Sequence, residues 1–297
     1  MKKNKKQLDL YIEVDVLTAG TTAEVVNAIL ESLLYQRNQI PFVYKTYRYY
    51  VNKWLEQEQK QSKLDDEICG MQSFQVQRKK KQATATKEAI SAMRETIKNA
   101  FEKKPIKSIR FLFGSTIFTA KECYTLHIPQ ENIAINHFHD HHSISPGKLN
   151  QTLLSLLTSE DLYGIFSHNL NPTNIYLEFE ILEDDNPGLI SSKDALNKSP
   201  IFPKDFSSLP ASCKDIHIHL MHKPVVAIDY KQLKCCKDLQ VFEDLISLNL
   251  DDNSERQDNI NNKLTKSYAN SIPSWWEAEI VIRGFKDQPT KGFNIWS

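Results

Sequence analysis

The densest chemistry in the 297-residue chain is the run His137-Phe138-His139-Asp140-His141-His142. Imidazoles and a carboxylate within six positions are the donor set of zinc or another borderline metal. A catalytic metal site, however, gathers its ligands from separate elements and orients them with outer hydrogen bonds. No H-E-x-x-H pair occurs, so a solvated loop between a strand and a helix is the plainer reading of 137–142. His217 and His219 alternate with Ile216, Ile218 and Leu220, which puts both imidazoles on one face of a strand without requiring a ligand. The carboxylate pairs Asp184-Asp185 and Asp251-Asp252 fall in polar, insertion-like stretches, where solvated loop charge is the default. No Ser or Cys sits on a recognisable constrained turn beside a base, and neither HRD nor DFG occurs.

Glycine sharpens these exclusions. The chain has eight, and no two are close enough for a phosphate-binding loop, a dinucleotide turn or a nucleophile elbow. Lys+Arg and Asp+Glu each number 37 and the net charge is zero, which argues against a global field that gathers nucleic acid or an anionic membrane. Neither class of partner is expected. The five cysteines, 69, 123, 213, 235 and 236, include no C-x-x-C pair and read as reduced thiols. No signal-peptide core and no apolar run of roughly 18 residues is present, so a protein of the cytosol or nucleus is expected. The basic groups at positions 2–6 and 78–81 read as solvated charge.

Hydrophobic periodicity supplies the elements. Thr21 to Glu24 reads as a capping box, followed by a helix with Val25, Val26, Ile29, Leu30, Leu33 and Leu34 on one face until Pro41 stops it. An aromatic segment (42–54) follows, and then 56–82, rich in Gln, Glu and Lys, reads as a flexible loop. A second helix spans 84–102, strands are expected at 108–114 and 123–128, and a third helix runs from about 148 to 158. Strands follow at 175–182, 215–222, 225–230 and 277–285, with polar loops at 183–200 and 249–271. The order is α+β without βαβ alternation. The expected division is a tail at 1–20, one domain over 21–287 and a tail at 288–297. On the third helix Leu149, Leu153, Leu156 and Leu157 form the core stripe, while Leu154 lies roughly 115° from its centre. A leucine so placed suits a helix-mediated interface.

Four stretches, taken in order, resemble one family, the comet proteins, which bind Mad-two in the spindle assembly checkpoint. LLYQRNQIPFVY (33–44) is similar to that family's helix end. FLFGSTIFTAKECYTL (111–126) resembles its glycine turn and Lys-Glu-x-Tyr, here Lys121, Glu122 and Tyr124. FPKDFSSLPASCKDIHIHL (202–220) has the Pro-Lys pair and a later Pro210, and WWEAEIVIRGFKD (275–287) resembles the Trp-Glu and Gly-Phe strand. The resemblance implies a HORMA fold: a mostly antiparallel sheet backed by three helices, with a C-terminal safety belt closed over the chain's own strand at 277–285. It also implies a non-catalytic adaptor without cofactor, present in nucleus and cytoplasm and at the spindle or kinetochore in mitosis. Such an adaptor binds closed Mad-two and presents it to a hexameric AAA+ ATPase of the pachytene-checkpoint class. Carried over by residue, Gln36 and Leu154 face Mad-two, and Pro203 and Lys204 face the ATPase. Other readings are a metal-dependent enzyme using His137 to His142, or a different HORMA protein that captures a peptide. The insertions at 183–200 and 235–271 have no counterpart in the resemblance.

Overall fold

A computed structural model describes residues 7–14, 17–61, 71–130, 144–183, 201–204, 208–222, 272–286 and 295–296. The His137–His142 run, the Asp184-Asp185 and Asp251-Asp252 pairs, the expected strand at 225–230 and nearly all of both insertions lie outside these residues.

The first strand, β1 (Gln7–Val14), lies within the expected N-terminal tail. Leu10, Ile12 and Val14 are buried while Tyr11 is exposed, the two-residue alternation of a strand with one wet face. Helix α1 (Ala19–Gln36) buries all six aliphatic residues of the expected stripe. Its N-cap is Thr18, not Thr21: the Thr18 and Thr21 side chains and backbones cap one another, placing Thr21 inside the first turn. The helix ends at Gln36, five residues before Pro41. Asn38 takes the left-handed conformation (φ 55°), and Gln39 N–H bonds back to the Leu34 carbonyl.

The expected loop at 56–82 is helical over 56–61 and 71–82, and its middle, 62–70, lies outside the described residues. Helix α2 (Tyr44–Gln61) carries Tyr44, Tyr47, Val51 and Trp54 at helical spacing, all buried. Helix α3 (Met71–Lys103) begins thirteen residues before its expected start. Gln, Lys, Arg and Met are strong helix formers, and a helix already seeded by the buried Ile90, Met93 and Ile97 propagates through them at little cost. Strands β2 (Ile106–Gly114) and β3 (Ala120–His127) form the expected hairpin. Helix α4 (Pro146–Leu157) is capped by Ser145, and α5 (Glu160–Phe166), not expected from the sequence, follows directly. Strands β4 (Asn174–Glu183), β5 (Ile201–Lys204) and β6 (Lys214–His222) come next. The expected strand at 277–285 is replaced by β7 (Ile272–Ala278) and the two-residue β8 (Ile282–Arg283).

The fold is α+β, with one sheet in the order β1-β6-β3-β2-β4-β7-β5 and β8 beside β4. Among the described residues five of the seven strand pairings are antiparallel; β6 runs parallel to both β1 and β3. The described residues contain five α-helices, two more than the three expected. One hydrophobic core joins the helices to Phe111, Phe113, Tyr124, Leu177 and Phe179 on one face of the sheet, and it reaches Ile295 in the expected tail.

Candidate functional site

The resemblance-bearing stretches meet at the end of α1. Arg37 is 1 % exposed and donates two hydrogen bonds to Glu122, Nε to Oε2 at 2.8 Å and Nη2 to Oε1 at 2.9 Å. Its Nη1 donates to the carbonyls of Ile165 (3.2 Å) and His168 (2.9 Å), so one guanidinium also caps the end of α5. The Tyr124 hydroxyl donates to Glu122 at 3.0 Å, and burial, reinforced by the Glu122 charge, holds the phenol well above its ordinary pKa. The Arg of Tyr-Gln-Arg and the Glu and Tyr of Lys-Glu-x-Tyr are therefore one buried cluster, whose Arg and Glu are 85 positions apart in sequence.

Two residues on, Gln39 joins three segments. Its Nε2 donates to the Arg37 carbonyl (2.6 Å) and its Oε1 accepts from Thr173 N–H (2.8 Å). Its carbonyl accepts from Phe285 N–H (2.7 Å), while Gly284 N–H donates to the Thr173 carbonyl (2.8 Å). The Gly-Phe pair of the fourth stretch is thus fastened to the helix end of the first. Between them lies a cavity of roughly 370 Å³ lined by Tyr35, Gln36, Asn38, Ile40, Pro41, Phe285 and Lys286.

Gln36, the last residue of α1, is half-buried in that wall. Leu154 is 61 % exposed on α4, while Leu156 is buried and Leu149 and Leu153 pack against the core, so the helical wheel places it correctly. Tyr163 on α5, 74 % exposed, adds an apolar group that sequence reasoning missed because the short helix itself was missed. Pro203 and Lys204 lie on β5, at the sheet's edge. Pro203 is exposed and can donate no ladder hydrogen bond, which suits an edge strand. The Lys204 ammonium is engaged within the sheet, bonded to Glu178 and 3.8 Å from Glu277.

On the sheet face away from the core, His217 and His219 share one side of β6, as their alternation predicts, and β3 brings His127 opposite His219. The His127 and His217 rings are nearly coplanar (9°), with Nε2 2.7 Å from Nδ1, a hydrogen bond made edge to edge. His219 lies over His127 at 4.4 Å and beside Tyr11 at 4.8 Å. Asp215 is 3.2 Å from His217 Nε2, and Asp9 is 3.2 Å from His219 Nε2. Among the described residues no three donors converge as metal ligands would.

Burial, and next the neighbouring His219 and His217, push the His127 pKa down to about 4. Below its ordinary value of about 6.5 the unfolded chain takes up a proton that the folded chain refuses until pH nears 4. Stability attributable to this ring is therefore present above pH 6.5 and lost between 6.5 and 4. Solvent screening at a half-buried ring limits the loss to about 1–2 kcal/mol. Urea unfolding at pH 7 and pH 5 should show this loss in the wild type and a smaller one in His127→Gln; equal losses in both would rule out the assignment.

Among the described residues no helix is long and apolar enough to cross a membrane. No protein-family model and no curated protein matches the chain.

Proposed function

We propose that the protein is a non-catalytic, HORMA-like adaptor that binds the closed conformer of Mad-two and presents it to a hexameric AAA+ ATPase, promoting disassembly of the mitotic checkpoint complex. The observation that carries this reading is Leu154: a large aliphatic side chain facing solvent on a helix whose Leu149, Leu153 and Leu156 turn toward the core. A helix that docks a partner needs an anchor, and a few well-buried anchors supply most of an interface's energy. Gln36 supports the reading from the wall of the cavity at the end of α1. In this reading β7 and β8 form the chain's own closing segment, and the activity belongs in nucleus and cytoplasm and at the mitotic spindle. Pro203 and the exposed Phe202 beside it offer the ATPase a contact at the sheet edge. Lys204 would have to leave Glu178 to join them.

Purified protein mixed with closed Mad-two should elute as a one-to-one complex. Gln36→Ala with Leu154→Ala should weaken it by roughly 30-fold or more, the scale of one hot spot of about 2 kcal/mol. No complex at micromolar concentration, or a double variant that binds as tightly as wild type, would remove the proposal's support.

A further inference from the structure

Trp296, beyond β8 in the chain, inserts its indole among five aromatic rings. Ring centroids lie at 4.6 Å for Trp54, 5.1 Å for Phe42, 5.6 Å for Tyr47, 5.9 Å for Tyr50 and 6.1 Å for Phe285, with Phe42, Tyr50 and Phe285 edge-on. Edge-on and tilted geometries at these distances are those that aromatic quadrupoles favour. Ile295 beside it is 5 % exposed. From α2 come Tyr47 and Trp54, fixed independently of residues 295–296. The Tyr47 hydroxyl donates to the Ala83 carbonyl on α3 (2.9 Å), and the Lys80 ammonium lies 5.6 Å from the Trp54 ring centre. Phe285 is held by its N–H bond to Gln39. The walls of the box are therefore built by helix packing and by the Gln39 junction, while Ile295–Trp296 fills it.

A preformed pocket with a rigid aromatic lining loses little entropy on binding a short segment, which is the condition for recognising the same segment supplied by another chain. We propose that the aromatic box on α2 is a peptide-binding site for short segments carrying an aliphatic–tryptophan pair, and that this chain occupies it in cis with Ile295–Trp296. The covalent link gives the cis segment a high effective concentration, so a peptide in trans must compete with it. Phe285 is shared between this box and the cavity that holds Gln36. An occupant of the box therefore touches the wall of the candidate partner site, although the proposal does not depend on Mad-two being the partner.

The test uses the full chain and a fluorophore-labelled peptide of residues 288–297. Fluorescence polarisation should show the peptide binding the full-length Ile295→Ala/Trp296→Ala variant at least tenfold more tightly than wild type. A peptide in which Trp296 is alanine should not bind. A variant with unchanged far-UV circular dichroism that binds no peptide, or binds no better than wild type, overturns the proposal. A second measurement needs only the wild-type fold: 5-fluorotryptophan labelling, with the Trp296 resonance assigned from Trp296→Phe. That resonance should sit away from the free-indole position and move to it when excess unlabelled peptide is added. A resonance at the free position from the start, or one unmoved by saturating peptide, also overturns it.

Discussion

Arg37→Ala should cost about 3–5 kcal/mol, the range for removing one partner of a buried ion pair. The substitution leaves the Glu122 carboxylate buried at 3 % exposure, with the Tyr124 hydroxyl at 3.0 Å and Lys214 at 3.5 Å as remaining partners. It also strips the carbonyls of Ile165 and His168 of their donor. Against a typical total of about 5–15 kcal/mol, that is a large fraction. Urea denaturation should show a lower midpoint at unchanged slope. Arg37→Lys should recover only part, because an ammonium cannot reproduce the two-pronged bond to a carboxylate. Arg37→Met with Glu122→Leu should recover the part due to the buried charge, because none is left, but not the part due to the Ile165 and His168 carbonyls, and it removes the acceptor of the Tyr124 hydroxyl. A loss below 1 kcal/mol for Arg37→Ala would mean that water reaches Glu122 and that the cluster is not closed.

Gly284→Ala is the second large effect, expected at about 2–3 kcal/mol from overpacking. A methyl there would lie 2.3 Å from Gln39 Oε1 and 3.0 Å from both the N and O of Thr173. Relief requires Gln39 to swing away, and its Oε1 is the acceptor for Thr173 N–H. The two sites should therefore couple: in a Gln39→Ala background, Gly284→Ala should cost at least 1 kcal/mol less than in wild type, within the range seen for residues in contact. Thermal or urea unfolding of the four proteins of this cycle measures the coupling, and strict additivity would show that the crowding comes from Thr173 instead. If the proposed binding of Mad-two uses the cavity beside Gln36, Gly284→Ala should weaken it along with stability.

The sequence alone determines which side of each element faces the core. The stripes of α1 and α3, the exposed position of Leu154, the β2–β3 hairpin and the single-faced pair His217 and His219 are all legible, because a helix or strand that buries one face must repeat apolar residues at its own period. The same periods run through Leu8, Leu10, Ile12 and Val14 of β1, and through Tyr44, Tyr47, Val51 and Trp54 of α2. The N-terminal half of α3 is a different kind of miss. It has few apolar residues to betray a period, and its helicity follows from propensity and from propagation out of the packed half.

Only the tertiary structure decides what meets across those faces. Nothing in local spacing joins Arg37 to Glu122, Gln39 to Phe285, His127 to His219 or Trp296 to Trp54. Each pairing depends on strand register or on how one layer settles on the next, and these are set by the chain as a whole. The Tyr-Gln-Arg and Lys-Glu-x-Tyr segments show the consequence. Along the chain they are two separate stretches of a family resemblance, yet Arg37, Glu122 and Tyr124 bond to one another in the interior. Leu154 is left to solvent because periodicity turns it outward and no neighbouring layer covers it among the described residues, whereas Gln36 stays half-buried in the cavity wall beside Phe285.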